Sequence, residues 1–155
     1  MGVSKIVAIF ALAVAVLLDQ ASNAIACMCP AVYYTPCEYV QGTAVPAPST
    51  VVRAVVLSKS TQSSINEDIT ITADVTTVYS GDDIDDVTFI TGGNSAACGV
   101  ELTIGAEYIL GLYPAVADPL DSTNVTEVLT VGACDLARPW GDVPADEKAD
   151  LAAGC

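Results

Sequence analysis

Histidine is absent from all 155 residues, which removes the commonest general base and the commonest side-chain metal ligand. Most hydrolase and zinc-enzyme readings go with it. Positive charge is scarce as well: five Lys and Arg face nineteen Asp and Glu, for a formal net charge of −14. A surface of that sign repels nucleic acid and anionic membranes, and it suits calcium-rich surroundings or a basic partner. After Leu18 there is no further apolar run of the ~20 residues that a bilayer span needs. The chain is expected to bind no nucleic acid and to cross no membrane.

What is present begins with Lys5 and the uncharged apolar run from Ile6 to Leu18. Asp19 and Gln20 break that run, and Ala24-Ile25-Ala26 offers small residues at both positions a signal peptidase reads. Residues 1–26 therefore read as a secretory signal peptide, cut before Cys27. The competing reading is an uncleaved membrane anchor, for which the run is short. The positive mean hydropathy of the whole chain is inflated by this stretch. Cleavage would leave residues 27–155, enough for one domain with a real core. With Lys5 and Asp19 gone, four basic residues would face eighteen acidic ones.

All six cysteines, at 27, 29, 37, 98, 134 and 155, lie in that mature part. An even number in an exported chain implies disulfides rather than metal binding. Three bridges allow fifteen pairings, and spacing does not choose among them. Cys27 and Cys29 are a poor pair, because one extended residue between them sets their side chains parallel but too far apart. The N-terminal segment is expected to be tied at three points to the body. Bridges spanning ~70 to ~120 residues each contribute about 4–5 kcal/mol in the chain-entropy model.

Residues 27–50 read as irregular, with Gly42, Pro46 and Pro48 among small residues. Strand signals follow at Val51–Lys59, Ile69–Tyr79, Val87–Thr91, Glu107–Tyr113 and Val125–Val131, punctuated by Gly and Pro. Five such strands point to a small barrel or a sandwich. The tail predicts a short helix over Ala145–Ala153, N-capped by Asp142 and ended by Gly154. Neither an internal repeat nor a second domain is visible.

Cys27 carries the chemistry of interest. As the mature N-terminus it would own a free α-amine, and that amine with its own carbonyl oxygen closes a five-membered chelate ring on a metal. The plainer reading is a structural cysteine that happens to follow the signal peptide. Motifs in order then favour the first. Cys27-Met28-Cys29-Pro30, with Cys37 soon after, resembles the C-x-C start of the tissue inhibitors of metalloproteinases. Val51-Val52-Arg53-Ala54, Val78-Tyr79-Ser80-Gly81, Ala97-Cys98-Gly99, Tyr108-Ile109-Leu110-Gly111, Cys134 to Trp140 and Gly154-Cys155 resemble later segments of that family's N-terminal, netrin-like domain.

The resemblance implies a mainly β, OB-fold-like closed barrel of five strands with small flanking helices. It implies the bridges Cys27–Cys98, Cys29–Cys134 and Cys37–Cys155. It also implies a secreted, monomeric inhibitor whose partner is a zinc metalloproteinase. A wedge of Cys27, Met28, Cys29, Pro30, Ala96, Ala97 and Cys98 would enter the protease cleft. The Cys27 amine and carbonyl would bind the catalytic zinc in place of the water that the metal activates. Met28, a flexible thioether, would enter the adjacent apolar pocket. The family usually has Thr or Ser at Met28 and places its proline one residue later than Pro30, so a different target set is expected. Its C-terminal domain has no counterpart here. Netrin-like modules also occur in extracellular proteins without inhibitory activity, so a protein-binding module is the alternative function.

Other features have plainer readings. Asp82, Asp83, Asp85 and Asp86 read as a solvated turn, since their spacing is not that of a calcium loop. Asn124-Val125-Thr126 is a glycosylation sequon. Trp140 reads as a core anchor, Arg53 as a paired structural charge, and Tyr33 and Tyr34 as rim contacts or packing. No nucleophile–base pair is identifiable, so neither an enzyme nor a cofactor is expected.

Overall fold

Valine dominates β1 (Thr50–Lys59), a β-branched run suited to a pleated and buried surface. A computed structural model of the chain describes residues 27, 29, 33–64, 67–94, 97–115 and 128–155. In it β1 is the central strand. It pairs antiparallel with β2 (Ile69–Ser80) along one edge and with β4 (Glu107–Pro114) along the other. Three register shifts in the β1–β2 ladder bend the pair and increase its twist. β2 pairs antiparallel with β3 (Asp86–Thr91), and β3 runs parallel to the short β5 (Leu129–Thr130). β5 returns to β4 through Tyr113 and Pro114, which closes a five-stranded barrel. The fold is mainly β, with three disulfides and two small helices, α1 (Pro36–Val40) and α2 (Ala145–Ala153).

Alternation along the strands builds two cores. Val52, Ala54 and Val56 of β1, with Tyr108, Leu110 and Leu112 of β4, point into the barrel against Ile71, Phe89 and Leu102. The opposite face of the same strands presents Val51 and Ile109 to Tyr39, Leu136, Val143 and Leu151, beneath the helices. β1 and β4 are thus buried on both faces. That explains their nearly unbroken apolar sequence.

Three local expectations need correction. Residues 27–50 contain a helix, α1, which is short enough to leave no periodic signal. A sixth strand, β6 (Ala137–Pro139), pairs with Tyr108–Leu110 of β4 and had no strand signal of its own. Asp142 does not cap α2: it ends a 3-10 turn over Trp140–Asp142, and Pro144 stands at the cap. Val143 is driven into the second core, so the chain enters the helix only after it. Gly154 ends α2 in the left-handed conformation (φ 86°), as the sequence predicts. Within the expected strand Val125–Val131, residues 125–127 lie outside the described residues and 129–130 form β5.

Candidate functional site

α1 starts from a reciprocal cap. The Glu38 backbone N–H donates to the Thr35 hydroxyl, and the Glu38 carboxylate accepts from the Thr35 backbone N–H at 2.7 Å. The Thr35 hydroxyl also donates to that carboxylate, at 2.9 Å, and these two bonds from Thr35 hold the Glu38 carboxyl below its ordinary range. Five residues do not make a stable helix alone. Cys37 ties α1 to Cys155, just beyond α2, with a Cα separation of 5.5 Å, and Gln41 Nε2 donates to the Cys155 carbonyl at 2.7 Å. The helix thus anchors the segment leading back to Cys29 and Cys27.

The connector between β3 and β4 is pinned at its base. The buried Thr91 hydroxyl accepts from the Val100 N–H at 2.9 Å. Ala97 and Gly99 both donate to the Asn94 carbonyl, at 3.0 and 2.9 Å. Gly92 and Gly99 lie back to back: a Cβ on Gly99 would enter the Gly92 carbonyl, and one on Gly92 would enter that of Ala97. Only glycine fits there. Cys98 is left-handed (φ 57°), a conformation costing a non-glycine residue about 1–2 kcal/mol. Its carbonyl accepts from Ala133 N–H at 2.7 Å, and its sulfur is bonded to Cys27.

Ala133 belongs to a closed turn. Asp135 N–H donates to the Gly132 carbonyl at 3.0 Å, and Gly132 N–H returns a 2.6 Å bond to Asp135 Oδ2. The next residue in the turn, Cys134, is bridged to Cys29. Burial pushes the Asp135 carboxyl up from its ordinary range, and the Gly132 bond only partly opposes it. Burial and the nearby Asp135 also push the Tyr39 and Tyr113 hydroxyls up.

Cys27–Cys98 and Cys29–Cys134, with Cα separations of 5.2 and 5.1 Å, therefore bring the N-terminal segment, the connector and the turn together. With Cys37–Cys155 they are the pairing that the resemblance implies. Cys29, Ala97, Cys98 and Ala133 are exposed, and Cys27 is half-buried. Met28, Pro30, Ala96 and the sequon residue Asn124 lie outside the described residues. Beside this edge runs a groove of about 230 Å³, walled by Tyr33, Tyr34, Tyr39 and the Ala133–Pro139 segment. Tyr34 packs edge-to-face on Tyr39 at 5.7 Å, whereas Tyr33 is 91% exposed.

The remaining candidates stand apart. Asp82, Asp83, Asp85 and Asp86 are exposed, and among the described residues no group of three or more acidic or cysteine side chains is placed to hold a metal. Arg53 binds Glu107 at 2.8 Å and stacks 4.4 Å from the centre of the Trp140 ring, while Trp140 packs against the second core. No helix among the described residues is long and apolar enough to cross a membrane. Sequence reading missed the Gly132–Asp135 turn and the Gly92–Gly99 contact. The G-x-x-D spacing was a signal for the first; the second needs the fold. Comparison with protein-family models and with curated protein sequences finds no match to this chain.

Proposed function

We propose that the chain is a secreted inhibitor of zinc metalloproteinases, of the kind built on a netrin-like domain. The observation that carries this reading is the Cys27–Cys98 bridge. It sets the residue expected to begin the mature protein beside an exposed connector, with Cys29 held by a second bridge alongside. Cleavage after Ala26 would free the Cys27 amine. Amine and carbonyl, fixed by the disulfide, would take two coordination positions on the protease's zinc and displace the nucleophilic water. Holding these donors rigid matters, because ordering them on binding would subtract from affinity. Met28 would follow into the pocket next to the metal, where a flexible thioether fills irregular apolar space.

Ordered motifs, the signal-peptide pattern and the barrel with its three bridges support the reading together. The test compares the native secreted protein with a form carrying one extra alanine before Cys27, against a panel of metalloproteinases. Inhibition by the native form alone is expected, with N-terminal sequencing starting at Cys27. Equal inhibition by both would overturn the chelation mechanism. Inhibition by neither would leave a protein-binding module.

A further inference from the structure

Asp135 is a half-buried carboxylate with no cationic partner among the described residues. Among the described residues the ion pairs are Arg53–Glu107 and Arg138–Glu147, so the one guanidinium lining the same groove is already neutralised. The carboxylate accepts one short bond, from Gly132 N–H, and lies near the Tyr39 and Tyr113 hydroxyls. Its neighbours therefore do not balance its charge, and burial raises its pKa accordingly. Tyr33 lines the same groove, and its 91% exposure leaves a large aromatic face in water for no folding gain. Exposed aromatics beside a concave site are the usual anchors of binding interfaces.

An unpaired carboxylate beside aromatic faces, in a groove that admits one long side chain, selects a particular guest. A guanidinium meets both demands: it binds a carboxylate through a fork of N–H donors, and it stacks on aromatic rings. A compact ammonium meets only the first in full. The chain's net charge of −14 also draws a basic partner surface. Cys29, Ala133 and Cys134 belong both to the groove and to the exposed edge where the bridges converge. A protein docked on that edge thus covers the groove mouth.

We propose that the groove lined by Tyr33 and Asp135 receives an arginine side chain of the protein that docks on the Cys27–Cys98 edge. The proposal rests on the inhibitor reading for its partner, which is then a metalloproteinase with an arginine on its cleft rim. The groove itself is testable alone. Native protein is titrated with arginine methyl ester, with lysine and glycine methyl esters as controls at matched ionic strength, while NMR follows the Asp135 amide and the Tyr33 and Tyr34 ring signals. Saturable shifts with the arginine ester, weaker with lysine and lost in Asp135→Asn, are expected. Equal shifts with lysine would overturn the arginine assignment, and no saturable shift with any ester would overturn the site. Asp135→Asn keeps an acceptor for Gly132 N–H, and Tyr33→Ala alters an exposed residue, so both variants should fold; unchanged amide spectra away from the groove check this.

Against proteases that the native protein inhibits, each variant should weaken inhibition about five- to tenfold. Undiminished inhibition by both variants, with no ester binding, removes the groove and leaves the inhibitor reading standing. Ester binding without inhibition of any protease removes the inhibitor reading and leaves the groove.

Discussion

The sulfur atoms of Cys27 and Cys134 belong to different bridges and lie 3.9 Å apart. Neither carries a proton, so this is a van der Waals contact, and it brings the two disulfides together at the exposed edge. The third bridge, Cys37–Cys155, ties α1 to the residue beyond α2. The bridges therefore divide between presenting the edge and bracing the fold.

Removing Cys37–Cys155 as a pair of serines should consequently lower stability without abolishing function. The loss is up to about 4–5 kcal/mol, smaller if the other bridges already shorten the effective loop. Removing Cys27–Cys98 should abolish inhibition of any sensitive protease even where the variant is fully folded. Denaturant unfolding and inhibition assays on both double variants check this. If loss of Cys37–Cys155 abolished inhibition at full folding, the division would not hold.

The back-to-back glycines give a sharper prediction. Gly99→Ala puts a methyl group into the Gly92 carbonyl, and neither backbone yields without displacing the Ala97–Cys98 connector. About 1–3 kcal/mol of stability should be lost, as for other overpacked sites. Gly141→Ala, where nothing lies within 4 Å, is the control and should change stability by less than ~0.5 kcal/mol. Thermal unfolding of the two variants reads the contrast.

How much of this was legible in the sequence depends on the range of the interaction. Alternation in Ile69–Tyr79 and the apolar run of Val51–Val56 report burial directly, so the main strands could be read from residue order. β6 could not, because Ala137-Arg138-Pro139 is a strand only through its pairing with β4. Tyr33 and Tyr34 are identical neighbours in the chain, yet one packs on Tyr39 and the other faces solvent. Asp135 looks like any surface acid until the Gly132 turn folds it inward. The candidate site is assembled from three segments far apart in sequence, so its members were legible only through ordered motifs.

Arg53 and Trp140 test the seam between the barrel and the helices. The Arg53 guanidinium, bound to Glu107 and about two-thirds buried, lies 4.4 Å from the Trp140 ring centre; Lys148 Nζ lies at 5.0 Å. A double-mutant cycle of Arg53→Met and Trp140→Leu should show a coupling of about 0.5–1 kcal/mol, the range for partly exposed cation–π pairs. A coupling indistinguishable from zero would make the stacking incidental to stability.

Two carboxyls should respond to pH in opposite senses. Glu38, hydrogen-bonded by the Thr35 amide and hydroxyl, titrates below its ordinary 4.5; its contribution is present above that value and is lost as pH falls through the lowered folded pKa. Asp135 titrates above its ordinary 3.8 because burial outweighs the Gly132 bond. Between 3.8 and its raised folded pKa, the folded chain holds the proton that the unfolded chain has released. Stability from this group therefore falls as pH rises through that window, and the penalty is complete above it. Asp135→Asn should remove the decline, and carbon-detected NMR titration should place the Asp135 midpoint above 3.8 and the Glu38 midpoint below 4.5. A normal or lowered midpoint for Asp135 would mean that a cation or further donors already satisfy it, and the unpaired charge that the groove offers a guanidinium would be gone.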